Sequence, residues 1–203
     1  MLKIKLGMVG GGKDAFIGEV HRMAARLDNR YELVAGALSS NAKRAAQSAL
    51  EIGIDKRRSY SSYKEMAAKE GKLKSGIDAV AIVTPNHLHA DVAKEFLKAG
   101  IHIICDKPLT SSLQDAEELA ALVKSSGLVF AVTYNYSGYP MVRQAKEMIA
   151  DGLLGNVRVV QLEYAQDWLA TNIEQKGQKQ AVWRTDPKQA GRGGAIGDIG
   201  THA

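Results

Sequence analysis

Short apolar runs alternate with segments that place an apolar residue every third or fourth position. Residues 4–9 form the first run; glycines follow it, and then an amphipathic stretch at 16–27. A second run at 31–38 leads into a helix whose faces carry Ala42, Ala45, Ala46 and Ala49, and a short helix is predicted at 63–69. Residues 79–83 contain no polar position, the mark of a strand covered on both faces. A helix at 89–99 ends at Gly100, and a strand follows at 101–105. The next helix, 113–125, has Ser111 and Ser112 as candidate N-caps and Gly127 just past its end. A run at 128–133 closes the series. Strand and helix in strict alternation predict βαβ units and a parallel sheet, in the α/β class.

The pattern changes after Thr133, where we place a domain boundary. A helix at 139–150 and a long strand at 157–164 are predicted beyond it, followed by a polar stretch and a glycine-rich segment. The 203 residues suffice for one large domain, or for a complete domain and part of another. A hydrophobic share of 45% and a charged share of 24% exclude a disordered or fibrous chain. No apolar run approaches the ~20 residues of a membrane span. The chain enters its first strand at once, without a leader pattern, and its single cysteine, Cys105, fits a reducing compartment. A cytoplasmic location is expected. The net charge of +5 comes from scattered lysines and arginines, and aromatics make up only 6%, so no nucleic-acid partner and no membrane partner is expected.

The first chemical motif is Gly10-Gly11-Gly12, between the first strand and the first helix. There a Rossmann fold turns tightly and brings backbone N–H groups to a pyrophosphate at a helix N-terminus. Two registers satisfy the fingerprint. One ends on Ala15; the other treats Lys13-Asp14-Ala15 as an insertion and uses Gly18 to pack the helix. The second is preferred, because Phe16-Ile17-Gly18 then opens the helix. Gly10, Gly12, Phe16, Ile17 and Gly18 are therefore the expected phosphate-side residues. The second strand ends in Ser39 and Ser40, with Lys43 and Arg44 close behind, where an acidic residue would select NAD. Hydroxyls and cations suit a 2′-phosphate, so NADP is favoured over NAD. Ser40 or Asn41 can equally cap the next helix.

Two further motifs lie at the carboxyl ends of later strands: Thr84-Pro85-Asn86-His87-Leu88-His89 and Asp106-Lys107-Pro108. With Trp183-Arg184 and the segment from Gly193 to Asp198-Ile199-Gly200-Thr201-His202, they resemble the signatures of the glucose–fructose oxidoreductase/inositol dehydrogenase (Gfo/Idh/MocA) family. Asp106 departs from that family's commoner glutamate; the lysine is kept. The resemblance covers nearly the whole chain. It implies a Rossmann doubly wound parallel sheet at 1–133 and, at 134–203, the incomplete beginning of an α+β open-sheet domain for substrate binding and oligomerisation. In the family the substrate-domain sheet continues well past this point, so residues 168–189 are expected to be poorly ordered or to pair with another chain.

The implied activity is hydride transfer between NAD(P) and a hydroxyl carbon of a sugar, sugar derivative or cyclitol, in a homo-oligomer assembled through the second domain. Thr84, Pro85, Asn86, His89, Asp106 and Lys107 then belong to the cofactor side. Lys107, Asp198 and His202 form the implied catalytic group, and Tyr134, Trp183 and Arg184 join them as substrate contacts. The chemistry is coherent: a lysine can hydrogen-bond the reacting oxygen, and a histidine titrates near neutrality and can take its proton. Asp198 stands four residues before His202, and on one helix the two would share a face. His87, His89 and His102 lack further ligands at metal-binding spacing, so no metal is expected. Cys105 reads as a buried strand residue. A dinucleotide-binding regulator without turnover and an inactive assembly module are the alternatives.

Overall fold

The computed structural model describes residues 2–191 and 193–202; Arg192 and Ala203 of the glycine-rich end lie outside the described residues. The chain divides into two compact units, 1–132 and 133–203.

The first unit runs β1 (Ile4–Gly10), α1 (Phe16–Leu27), β2 (Tyr31–Ala37), α2 (Ala42–Glu51), α3 (Tyr63–Glu70), β3 (Ala79–Val83), α4 (His89–Lys98), β4 (His102–Cys105), α5 (Leu113–Ser126) and β5 (Phe130–Val132). All strands are parallel, in the order β2-β1-β3-β4-β5. The fully apolar run at 79–83 is the sheet's centre. Its residues alternate between two cores, with Val80 and Ile82 on one face and Ala79, Ala81 and Val83 on the other. Met66, Val92, Phe96 and Leu119 from α3, α4 and α5 cover the first face, and Ile17, Ala25 and Ala49 from α1 and α2 pack on the second. Helices on both faces define a doubly wound Rossmann sheet.

A single parallel bridge, Gly36 to Ser59, lies on the outer side of β2, where the Tyr60 N–H donates to the Gly36 carbonyl at 2.8 Å. Ser59 thus marks the third-strand position of the usual 3-2-1-4-5-6 order, reduced to one residue. A buried network anchors this crossing. Glu70 pairs with Arg58 and accepts hydrogen bonds from the Tyr60 hydroxyl at 2.6 Å and the Ile77 N–H at 3.2 Å.

The helix ends follow local chemistry. Asn41 caps α2 by accepting from the Arg44 N–H, and Ser112 caps α5 by accepting from the Asp115 N–H. Gly100 and Gly127 leave their helices at φ +74° and +68°, in the left-handed region.

The second unit holds α6 (Pro140–Ala150), α7 (Lys179–Arg184), α8 (Pro187–Ala190) and α9 (Gly194–Asp198), with 3-10 turns at Asn135–Gly138, Ile173–Lys176 and Gly200–His202. Two expectations need correction. Residues 157–164 form no strand, and Val159, Val160 and Leu162 are 82%, 73% and 63% exposed. A strand exists by pairing with a neighbour, and none is found among this unit's described residues. Residues 168–189, expected to be poorly ordered or to pair with another chain, instead form within this chain the short helices and turns given above. Among the described residues no helix is long and apolar enough to cross a membrane.

Candidate active site

The glycine loop leaves β1 with Gly10 at φ +81° and Gly11 at φ +70°. A Cβ on Gly10 would lie 2.7 Å from the Val83 carbonyl oxygen, and one on Gly12 would lie 2.6 Å from that of Leu38. The loop is therefore wedged between the carboxyl ends of β2 and β3, at the sheet's topological switch point. Gly18 packs its Cα against Gly11, which lets α1 approach the loop closely. The loop is held from outside by Arg22, which donates to the Gly11 carbonyl at 2.7 Å, and by Ser48, which accepts from the Lys13 N–H at 3.0 Å.

Ala15, the residue before α1, offers no side-chain cap, so the N–H groups of Phe16 and Ile17 begin the helix without one. Uncapped first-turn donors beside a loop with no room for side chains fit a dinucleotide pyrophosphate. Thr84 adds a buried hydroxyl that has no hydrogen-bond partner among the described residues. A cleft of about 310 Å3 lies on the helix side of the loop, lined by residues that include Asp14, Glu19, Arg22 and Ser48. None of Thr84, Asp106 and Lys107 lines it.

At the end of β2, Ser39 accepts from the Asn41 N–H at 3.2 Å. Ser39 is half-buried, and Ser40 is exposed, as are Lys43 and Arg44 on the first turn of α2. Arg44 reaches Asp14 only at 3.9 Å, with both side chains more than half exposed. Such a pair is weak and easily exchanged for another anion.

Beyond β3, Pro85 and Asn86 open a 3-10 turn, Asn86–Leu88, that delivers His89 to the start of α4. His89 is fully buried, with Nδ1 2.8 Å from the Pro108 carbonyl and Nε2 2.9 Å from the Thr84 carbonyl. Beyond β4, Asp106 and Lys107 are half-buried. Asp106 lies 3.7 Å from His21 Nε2, with little of either side chain exposed. Neither His21 nor Arg22 is among the residues expected from sequence. The available signal was spacing, since they follow Gly18 by three and four positions and share its helix face.

In the second unit, His202 stacks edge-on against Tyr136 (centroids 4.6 Å apart) and Tyr134 (5.6 Å). The Thr201 hydroxyl donates to the Tyr134 hydroxyl at 2.8 Å, and the Tyr136 and Tyr164 hydroxyls share a 2.8 Å hydrogen bond. That bond is the main cause holding the Tyr136 phenol above its ordinary pKa. Arg184 lies over the rings of Trp183 (4.5 Å) and Trp168 (5.5 Å) and pairs with Asp198 at 3.6 Å. Asp198 and His202 do not share one helix: α9 ends at Asp198, and His202 belongs to the following 3-10 turn. The charge pair links α7 to α9, and the stacking ties Arg184 to Trp168, as sequence spacing could not show.

A parallel sheet with a glycine loop at its switch point defines a dinucleotide-binding domain of the Rossmann type. The family model for the oxidoreductase family with an NAD-binding Rossmann fold matches residues 4–134, and that for the GFO/IDH/MocA C-terminal domain matches residues 142–203. The chain belongs to the GFO/IDH/MocA oxidoreductase family.

Among solved structures, an oxidoreductase from Sinorhizobium meliloti is 57% identical, with a TM-score of 0.86 over 100% of this chain and 51% of its own. An inositol dehydrogenase homolog from Azotobacter vinelandii, complexed with NADH and myo-inositol, is 36% identical, with a TM-score of 0.89 over 98% of this chain and 50% of its own. Levoglucosan dehydrogenase of Pseudarthrobacter phenanthrenivorans is 32% identical over 100% of this chain and 50% of its own length. The chain thus spans about half the length of these relatives.

Proposed function

We propose that the protein is a nicotinamide-dependent dehydrogenase that transfers hydride between NAD(P) and a hydroxyl-bearing carbon of a sugar, sugar derivative or cyclitol. The observation that carries this reading is the glycine loop, pressed against Val83, Leu38 and Gly18 where no side chain fits, beside an uncapped α1. The relatives named for levoglucosan and inositol support a cyclic polyol as substrate. The tyrosines around His202 support it too, since aromatic faces stack on the apolar faces of sugar rings.

Gly10, Gly12, Phe16, Ile17 and Gly18 are the proposed phosphate-side residues, with Thr84, Pro85, Asn86 and Asp106 on the nicotinamide side and the fully buried His89 supporting the backbone of that side. A bound nicotinamide supplies the hydride acceptor or donor. The protein supplies the proton chemistry. In the oxidation direction the His202 imidazole takes the hydroxyl proton, while Lys107 donates a hydrogen bond to the same oxygen and stabilises its developing negative charge. Asp198 holds Arg184, and together they offer an acceptor and a donor to neighbouring hydroxyls; Tyr134 and Trp183 complete the proposed substrate contacts. Ser39, Ser40, Lys43 and Arg44 favour a 2′-phosphate, so NADP is the preferred form in this reading. A homo-oligomer assembled through the second domain completes the proposal.

The test is a fluorescence titration with NADPH and NADH, followed by turnover assays of the full-length protein on cyclitols and anhydrosugars. Micromolar binding that Gly12→Val abolishes, and turnover that Lys107→Ala or His202→Ala lowers about 10²–10⁴-fold, is the expected result. Binding without turnover on any polyol would favour a regulator; no binding to a folded protein would overturn the reading altogether.

A further inference from the structure

His89 is fully buried, yet both of its ring nitrogens face backbone carbonyls. The carbonyls belong to different strand-end segments: Thr84 follows β3, and Pro108 follows β4 beside Lys107. A carbonyl oxygen only accepts, so each contact is a hydrogen bond when the facing nitrogen carries hydrogen. A ring that merely filled volume would have no cause to aim each nitrogen at an acceptor; phenylalanine would serve. The two carbonyls are thereby held at the span of one imidazole.

We propose that His89 is a positioning residue that ties the Thr84 segment to the Lys107–Pro108 segment. Through Pro108 it fixes the backbone from which Lys107 projects, and through Thr84 it fixes the end of β3 beside the glycine loop. The proposal rests on the dehydrogenase reading for its effect on turnover, while the tether itself does not depend on that reading. A displacement of about 1 Å at a reacting group costs on the order of 10²-fold in rate, so a tether that removes such drift is felt in kcat.

Two substitutions separate the tethers. The amide nitrogen of Asn lies at the level of Nδ1, and that of Gln at the level of Nε2. In the full-length protein, His89→Asn keeps the Pro108 contact; it is expected to retain most of kcat while weakening dinucleotide binding about tenfold. His89→Gln keeps the Thr84 contact and is expected to retain affinity while losing about tenfold in kcat. His89→Phe preserves volume and is expected to lose both. A Phe variant with wild-type kcat and affinity would overturn the proposal, as would equal losses from Asn and Gln.

The unaltered protein provides a second measurement. Nitrogen-15 histidine NMR should show a His89 ring N–H protected from exchange, and a ring N–H exchanging freely with water would overturn the tether whether or not the variants fold. If the protein binds dinucleotide but turns over no polyol, the dehydrogenase reading fails, while ring protection and dinucleotide affinity still decide the role of His89.

Discussion

Gly18 lies so close to Gly11 that a Cβ added to it would meet the Gly11 carbonyl oxygen at 2.6 Å and its Cα closer still. Backbone meets backbone there, and neither side can yield by changing a rotamer. Gly18→Ala is expected to push α1 off the glycine loop, costing about 1–3 kcal/mol of stability as an overpacked contact. Dinucleotide affinity should fall more steeply than stability alone explains. Thermal melts with and without NADPH check this: the variant should melt lower and gain less from the nucleotide.

Glu70→Ala removes the acceptor shared by Arg58, Tyr60 and the Ile77 N–H, in a position where the glutamate side chain has no exposure. Breaking a buried ion pair costs about 3–5 kcal/mol, and the partial exposure of Arg58 (21%) places the loss toward the lower end. Urea denaturation should show the midpoint falling with little change in slope. A loss below about 0.5 kcal/mol would mean that water replaces the carboxylate cheaply.

Burial raises the pKa of the Cys105 thiol well above its ordinary range, so the folded protein keeps it neutral and unreactive. A thiol reagent at pH 8 should leave the native chain unmodified and react with one thiol once guanidinium is added. Above the free thiol pKa of about 8.5 the unfolded chain ionises Cys105 while the folded chain does not. The unfolded state then binds fewer protons, and stability falls as pH rises. Cys105→Ala should lose that part of the alkaline decline, measured by urea midpoints at pH 7.5 and 9.5.

Arg44 is held by Asp14 only through an exposed contact of 3.9 Å, and Lys43 is exposed beside it. Replacing both with alanine is expected to weaken NADPH binding about tenfold and to leave NADH binding within about threefold, as loss of charge pairing with one phosphate predicts. Equal effects on the two nucleotides would remove these cations from the 2′-phosphate role.

The first unit was readable because its sheet is covered on both faces. An apolar strand such as Ala79–Val83 has no other stable setting, and the helices between the strands announce themselves by period. The same reasoning failed at 157–164. There the pattern records what the segment is suited to bury, while strand structure needs a partner that this unit's described residues do not contain. Individual contacts were less legible than elements. Lys107 and His202 stood out by residue type and setting, whereas the His21–Asp106 approach depends on how α1 lies across the sheet. The sequence spacing would set Asp198 on one helix face with His202, but α9 ends at Asp198 and a separate 3-10 turn carries His202.

The sheet closes on each side with very little strand. Beyond β2 the chain meets it through the Ser59 bridge and the Tyr60 N–H, and at the opposite margin of the described sheet β5 is three residues long. An intruding chain that tried to extend the sheet from β5 would find only a few backbone groups to grip. A hydrogen-bonding sheet with margins this short carries its own guard against stacking edge to edge with neighbours in a crowded solution.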